Sequence, residues 1–157
     1  MDEYLTKAFS QSIHGDFICP DILEIIKNID HEVAGSLIEG LPNSIYQIVH
    51  HLAAWGNWGL KGVLNEPFLR KESEEELNFF PVDESPTSEQ WEREKANLKE
   101  FVSTFESALS SVDHTGNHHD WKSFNNGRAL LFIVAHTAYH TAQIVSILRL
   151  LKEYHRE

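Results

Sequence analysis

The stretch that decides the fold runs from Gly127 to Glu153 and reads GRALLFIVAHTAYHTAQIVSILRLLKE. Its apolar residues recur at the three- and four-residue spacing of an α-helix. His136 and His140 lie four residues apart within it, and therefore on one helical face, one turn from each other. Because apolar residues flank the pair, we expect this face to be buried. Two buried imidazoles need a partner, since an unpaired buried polar group costs free energy. A shared metal ion is one such partner.

Length and composition predict one soluble domain that spans residues 1–157. The chain has 157 residues, of which 41% are apolar, enough for a sizeable core. It contains no run of about 18 apolar residues, so we expect no membrane-spanning helix. The N-terminus is acidic and lacks the layout of a signal peptide, and the single cysteine, Cys19, allows no internal disulfide. These features favour a cytoplasmic protein.

The charge of the chain argues against nucleic acid as a partner. With the ten histidines counted as neutral, the formal net charge is −11. An acidic surface repels phosphate backbones, and the sequence shows no basic patch that would compensate. Its largest charge run is acidic and is expected to be a solvated linker or turn rather than a cation site. This run consists of Glu72, Glu74, Glu75 and Glu76.

The pattern along the chain predicts an all-α protein. Ser44 is a candidate N-cap, and Thr87 with Gln90 forms a candidate capping box. Three glycines near residue 60 indicate close packing or an earlier helix end. Residues 66–86 read as a long connection and residues 113–126 as a loop. The predicted helices cover residues 2–13, 21–28, 31–38, 45–64, 88–111 and 127–153, which fits a helical bundle.

Two sides of the last helix are apolar. At about 100° per residue, the first side holds the histidine pair within roughly 40° of one line. The second side holds Leu130, Val134, Val145 and Leu148. A helix that is apolar on two sides packs on two sides, so we expect the second side to form a homodimer surface. The residues that share the line of the first side are Ala129, His136, His140, Gln143 and Ile147.

The helix near residue 50 adds a third inward imidazole. His51 lies at the edge of the buried arc, beside Trp55 and Trp58, and can turn toward the core. His50 lies on the opposite side, beside Asn57, and is expected to face solvent or the rim. The arc itself is defined by Ile45, Ile48, Val49, Leu52 and Trp55. Helical phase therefore selects His51 as the residue that meets the pair on the last helix.

Three inward histidines suit zinc, nickel or another divalent transition metal. Three protein ligands leave one coordination position open for water or a small ligand. Thr137 stands where a zinc protease of the His-Glu-x-x-His type has its general base, so that mechanism is not supported. His118 and His119 are a possible rival or fourth ligand, but solvated loop residues are the expectation. Beyond Trp55, Trp58 and Tyr139, the sequence does not define the lining of a pocket.

Two segments resemble the DinB/YfiT-like superfamily: SIYQIVHHLAAW from Ser44 to Trp55, and HTAYHTAQI from His136 to Ile144. The resemblance extends over most of the chain, from about residue 2 to about residue 153. It implies a four-helix bundle with up-down-down-up order, which is often dimeric in the family. It also implies that His51, His136 and His140 are the metal ligands. Gln143 matches a position that is commonly Gln in the family, where it can support a ligand or line the pocket.

The resemblance leaves three functions open. Some relatives are similar to transferases that join a low-molecular-weight thiol to a small electrophile, and this is the function that we favour. Others were named metal-dependent hydrolases, in which water at the open position would be the nucleophile. The third possibility is a non-catalytic stress-response protein that binds metal or a small ligand. The fold and the metal site carry over to this chain far better than any reaction does.

Overall fold

The structure is a computed structural model that describes residues 3–15, 20–66 and 85–152. Within these residues the protein is all-α, and its only extended pairing is an isolated bridge between Asn117 and Asn125. The four-helix bundle order and the single domain stay predictions. The helices are α1 (Glu3–Ile13), α2 (Ile22–Lys27), α3 (His31–Gly35), α4 (Ile45–Val63), α5 (Ser88–Ser111) and α6 (Asn126–Leu150).

Of the two long connections predicted between helices, the structure tests only one in full. The loop predicted over residues 113–126 is confirmed, except that α6 begins at Asn126 with Asn125 as its N-cap. Most of the predicted connection over residues 66–86 lies outside the described residues, and so does its acidic run. Cys19 and the predicted end of the last helix at Glu153 also lie outside them.

Side-chain caps fix where α4 and α5 begin. Thr87 Oγ1 accepts from the backbone N–H of Gln90 at 3.2 Å, and Gln90 Oε1 accepts from the backbone N–H of Thr87 at 2.7 Å. Ser44 and Gln47 form the same reciprocal box at the start of α4. Each box satisfies two backbone donors that the first turn leaves without a helical partner. The caps predicted at Ser44 and Thr87 are confirmed.

Aspartates cap the N-termini of the short helices α2 and α3. Asp21 accepts from Leu23 N–H, and Asp30 accepts from Val33 N–H, each at 2.8 Å. The helix predicted to reach residue 38 stops at Gly35, because Ser36 takes an extended conformation with φ −64° and ψ 126°. The prediction of three further helical residues was therefore wrong.

The core lies where α4 packs against α5 and α6. One apolar stripe of α5 is buried throughout, and each fully buried side chain contributes about 1.5–3 kcal/mol by leaving water. Trp91 also donates from Nε1 to the carbonyl of Ile29 at 2.6 Å, which ties α5 to the segment before α3. The buried stripe consists of Trp91, Leu98, Phe101, Val102, Phe105 and Leu109.

Three glycines allow neighbouring side chains to approach the backbone of α4 closely. A Cβ at Gly56 would overlap the ring of Phe101, and a Cβ at Gly62 would overlap the ring of His118. A Cβ at Gly59 would lie 3.0 Å from Ile133 Cδ1. The close packing predicted from these glycines is confirmed, and α4 continues through all three to Val63.

The second apolar side of α6 is buried within the chain. Leu130, Val134, Val145 and Leu148 are all buried, and α6 contacts α1 as well as α4. The expectation that these four residues form a dimer surface was therefore wrong, because the protein's own helices cover them. A homodimer through another surface stays a prediction. The large apolar residues of α6 that are exposed are Leu131, Phe132, Tyr139 and Leu150.

By length and composition, α6 meets the requirement for a membrane-spanning helix, contrary to the expectation from the sequence. Half of its most apolar window is buried inside the protein. The core helix of a globular protein meets the same requirement, because it too is apolar on most sides. The burial of Leu130 and Leu148 fits a core helix.

Candidate metal centre

Three imidazole nitrogens converge between α4 and α6. His51 Nε2 lies 3.3 Å from His136 Nε2, which lies 3.0 Å from His140 Nε2. All three ligand atoms lie within 4.8 Å of one another. Two nitrogens bound at about 2.0–2.1 Å to a tetrahedral ion would be separated by ~3.3 Å. The observed spacings are therefore close to those of a metal centre. His51 meets the histidine pair as helical phase predicted, and its role as a metal ligand stays a prediction.

The positions of the three residues follow from the two helices. His136 and His140 are one turn apart on α6, and the contact between α4 and α6 brings His51 to them from the other side. His51 is 8% exposed and His140 is 5% exposed, while His136 is half-buried. The site is therefore mostly screened from water.

The surroundings keep His136 in the form that binds metal. Burial lowers its pKa, and the neighbouring His140 and His51 lower it further by charge repulsion, to about 4. Burial also lowers the pKa of His140, against the opposing effect of its hydrogen bond to Gln143. Because imidazole must be neutral to coordinate a metal, both residues are ready to bind at neutral pH.

Gln143 orients His140 through the ring nitrogen that faces away from the cluster. Nδ1–H of His140 donates to Gln143 Oε1 at 2.7 Å, and Gln143 Nε2 donates to the hydroxyl of Tyr139 at 3.1 Å. The first bond places the proton of neutral His140 on Nδ1, so its Nε2 presents a lone pair to the other histidines. The supporting position assigned to Gln143 by the family resemblance matches this contact.

The donor set fits a borderline divalent ion. Three neutral nitrogens are the ligands expected for zinc or nickel, and they leave a further coordination position open. Among the described residues, no carboxylate joins the cluster. Thr137 donates its hydroxyl to the Ile133 carbonyl at 2.9 Å, so it has a structural role on α6.

His50 faces α5 rather than solvent. Its Nδ1 lies 3.2 Å from Oε2 of Glu94, and the side chains are 20% and 7% exposed. Burial alone would raise the pKa of Glu94, but the hydrogen bond and charge of His50, together with Asn97 and Arg93, hold the pKa below its usual value. Of the two alternatives expected for His50, solvent or the rim, the first was wrong, because α5 places a carboxylate opposite it and leaves the side chain partly buried. Glu94 follows Trp91 and precedes Leu98 at core spacing, which is the signal that could have revealed it.

His118 is a buried structural residue and not a solvated one. Nε2–H donates to the Gly59 carbonyl at 3.0 Å, while Nδ1 accepts from Asp120 N–H and Trp121 N–H at 3.2 and 2.9 Å. With both ring nitrogens engaged, His118 is not a fourth ligand. His119 is exposed beside Asp120, as expected of a loop residue. The glycine at position 62 indicated close packing, but not that the His118 ring is the group that packs against it.

Aromatic rings cover one side of the histidine cluster. The centroid of Trp55 lies 6.0 Å from the centroids of both His51 and His136. Phe132 stacks on His136 with centroids 5.9 Å apart and planes 11° apart. Trp55 and Trp58 are only partly buried, and Tyr139, whose ring contacts that of His140, is exposed. The sequence therefore identified part of the surroundings and missed Phe132.

The helical fold and the three histidines that converge from two helices make this protein a candidate helical metalloprotein. The chain belongs to the DinB superfamily, whose family model matches residues 20–144. The matched range contains all three histidines of the cluster. Searches of curated proteins and of solved structures each found no match.

Proposed function

We propose that His51, His136 and His140 bind a divalent transition metal, with zinc or nickel as the favoured ions. We further propose that the protein is a transferase that joins a low-molecular-weight thiol to a small electrophile. The observation that carries the proposal is the convergence of three Nε2 atoms at 3.0 and 3.3 Å, with His140 oriented by Gln143. The resemblance of the chain to the DinB/YfiT-like superfamily, some of whose members are similar to such transferases, supports the reaction.

The surroundings of the cluster favour a thiol over water as the nucleophile. A divalent ion stabilises the deprotonated form of a group that it binds. A free thiol has a pKa of about 8.5, whereas that of water is about 15.7. Since no described carboxylate joins the cluster as a general base, the group that is easier to deprotonate is the better candidate. The chain's own contribution is to orient the ligands and to shield one side with Trp55 and Phe132.

In the proposed reaction, the thiol releases its proton to solvent and its sulfur forms a bond to the electrophilic carbon. The leaving group departs with the electron pair of the bond that breaks, so no oxidant or reductant is needed. With 1-chloro-2,4-dinitrobenzene as the probe, the products are a thioether, chloride and a proton. Formation of the thioether is followed by absorbance.

Metal content tests the site itself. We expect about one equivalent of transition metal per chain by elemental analysis. The ion should be lost in the His136→Ala/His140→Ala variant and in His51→Ala. The matched control is His50→Gln, which changes the adjacent histidine but keeps a donor for Glu94. Retention of the metal by His51→Ala would contradict the assignment of the ligands.

Turnover tests the reaction. The metal-loaded protein is incubated with 1-chloro-2,4-dinitrobenzene and, in turn, glutathione, cysteine and bacillithiol. We expect a rate above background with at least one thiol, abolished in His51→Ala and retained in His50→Gln. Rates equal to those of His51→Ala with all thiols would refute the transferase. Activity of the same protein on esters, amides or lactams would instead favour a hydrolase.

A further inference from the structure

An aromatic pocket lies next to the histidine cluster. It is lined by Trp55 and Trp58 of α4, Trp121 and Phe124 of the loop before α6, and Phe132 of α6. We call these five residues the aromatic pocket. Its volume is about 160 Å³. Three separate parts of the chain thus contribute aromatic side chains to one small space.

The walls of the pocket form a continuous series of edge-to-face contacts. The ring centroids of Trp55 and Trp58 are 4.7 Å apart, those of Trp58 and Trp121 are 5.3 Å apart, and those of Trp121 and Phe132 are also 5.3 Å apart. The series closes on the cluster, because both Trp55 and Phe132 contact His136. A molecule held in the pocket would therefore lie beside a candidate metal ligand.

The loop side of the pocket is fixed in place. His118 stacks on Trp121 with centroids 4.5 Å apart and planes 12° apart, and it accepts a hydrogen bond from Trp121 N–H. His118 is in turn bonded to the Gly59 carbonyl of α4. The wall formed by Trp121 is thus anchored to the helix that carries His51, and little reorganisation is needed to accept a ligand.

The size of the pocket selects one ring. An enclosed apolar cavity of about 150 Å³ accepts benzene. The aromatic pocket has nearly the same volume, although it is open to solvent at the exposed side chain of Phe132. Aromatic walls also favour a further aromatic ring, since edge-to-face pairs contribute about 0.5–1.5 kcal/mol beyond the burial of area. One six-membered ring is therefore the group that the pocket fits best.

Charge decides between a neutral ring and a cation, because aromatic faces also attract cations. A metal held by three neutral histidines would keep its positive charge beside the pocket and repel a cationic ligand. The guanidinium of Arg128 already lies 4.2 Å from the Phe124 ring and adds positive charge on the loop side. Both features favour an uncharged ring over a quaternary ammonium group.

We propose that the aromatic pocket binds an uncharged aromatic ring of the substrate that reacts at the histidine cluster. This inference rests on the proposed function, and it names the chemical class of the electrophile. The ring occupies the pocket, and the carbon attached to it or within it lies toward His136. Small electrophiles without a ring would then be poorer substrates than aromatic ones.

Binding to the pocket is tested separately from turnover. The probe is 4-fluorobenzyl alcohol, followed by ¹⁹F NMR on the metal-loaded protein. Phe132→Ala removes one wall, and Leu131→Ala is the matched control on the adjacent residue, which is similarly exposed (54% against 42%) and lies outside the pocket. We expect binding to be at least fivefold weaker in Phe132→Ala and unchanged in Leu131→Ala. Phe124→Ala, from the loop, should repeat the loss, which protects the test against misfolding of one variant.

A charged probe of the same shape completes the test. Benzyltrimethylammonium should bind more weakly than 4-fluorobenzyl alcohol to the metal-loaded protein. Equal binding of 4-fluorobenzyl alcohol by Phe132→Ala, Phe124→Ala and Leu131→Ala would overturn the pocket assignment. Tighter binding of the cation than of 4-fluorobenzyl alcohol would overturn the proposal that the bound ring is uncharged. If the neutral probe binds as expected but no thiol gives turnover, the pocket stands and the proposed transferase fails.

Discussion

Gln143 accepts a hydrogen bond from Nδ1 of His140 at 2.7 Å, and this bond determines which nitrogen of His140 faces the other two histidines. An amide oxygen can only accept, so the neutral ring must carry its proton on Nδ1. Its Nε2 then lies 3.0 Å from His136 Nε2 with a free lone pair. The residue three positions after His140 thereby fixes both the tautomer and the direction of this candidate ligand.

Replacing Gln143 should weaken metal binding without abolishing it. We expect Gln143→Ala to lose about 10- to 100-fold in affinity, as is usual when a metal-bound histidine loses its supporting partner. Gln143→Glu should bind at least as tightly as the wild type, because a carboxylate accepts the same bond. Competition with a chromogenic chelator measures the affinity. Ser146→Ala, on the next turn, is the control, and equal losses in both alanine variants would count against the role of Gln143.

Acid should release the metal and also destabilise the metal-free chain. The pKa of His136 is about 4 in the folded protein, below ~6.5 for a free histidine. Between these values the unfolded chain binds more protons, so the stability is fully present above about pH 6.5 and is lost as the pH falls toward 4. Metal occupancy should fall in the same direction, because protons compete with the ion.

Urea unfolding of the metal-free protein between pH 7.5 and 4 checks the sign of this effect. His136→Gln should show a shallower loss than the wild type over the same range. The comparison with the variant is needed because His14 acts in the opposite direction: despite its partial burial, Asp21 and Glu106 raise its pKa. The stabilisation from His14 is present below pH ~6.5 and is lost as the pH rises through the raised pKa.

Full metal occupancy at pH 4 would contradict a site made of histidines alone.

Local signals determined most of the helix positions. Ser44 and Thr87 marked two helix starts because capping depends on side chains within three residues. Tertiary contacts were less accessible. The apolar side of α6 with Leu130 and Leu148 was predicted as a dimer surface, since periodicity shows that a face is apolar but not which helix covers it. The early end of α3 was also missed, because the apolar pattern does not show that the backbone becomes extended at Ser36.

The candidate site shows the same division. Helical phase was sufficient to select His51 over His50, because the two helices need only face each other for the cluster to form. Helical phase places Glu94 at a core position of α5, but it does not show that His50 is its partner, because that pairing depends on how α4 and α5 pack. The aromatic pocket depends on where the loop places Trp121 and Phe124, and a polar loop sequence carries no periodic signal.

Breaking the contact between α4 and α5 at His50 should destabilise the fold. His50→Ala leaves the buried carboxylate of Glu94 without the strongest of the partners that lower its pKa, at a cost of about 1–3 kcal/mol. Adding Glu94→Gln to the same variant should recover part of the loss, because a neutral amide is cheaper to bury. Urea unfolding at pH 7 measures both effects. An unchanged stability of His50→Ala, or no recovery in the double variant, would contradict this account.

Gly62→Ala should be destabilising although alanine is the better helix former. The exchange gains about 0.5–1 kcal/mol in helix propensity, but the added Cβ would overlap the His118 ring, and overpacking costs about 1–3 kcal/mol. In the His118→Ala background the space is free, so Gly62→Ala should be neutral or stabilising there. Urea unfolding of the four proteins gives the coupling energy, and equal effects of Gly62→Ala in both backgrounds would exclude the steric explanation. Because Trp121 stacks on His118, a shift of the His118 ring should also disturb the aromatic pocket. Gly62→Ala should therefore weaken the binding of 4-fluorobenzyl alcohol but leave the metal affinity near that of the wild type.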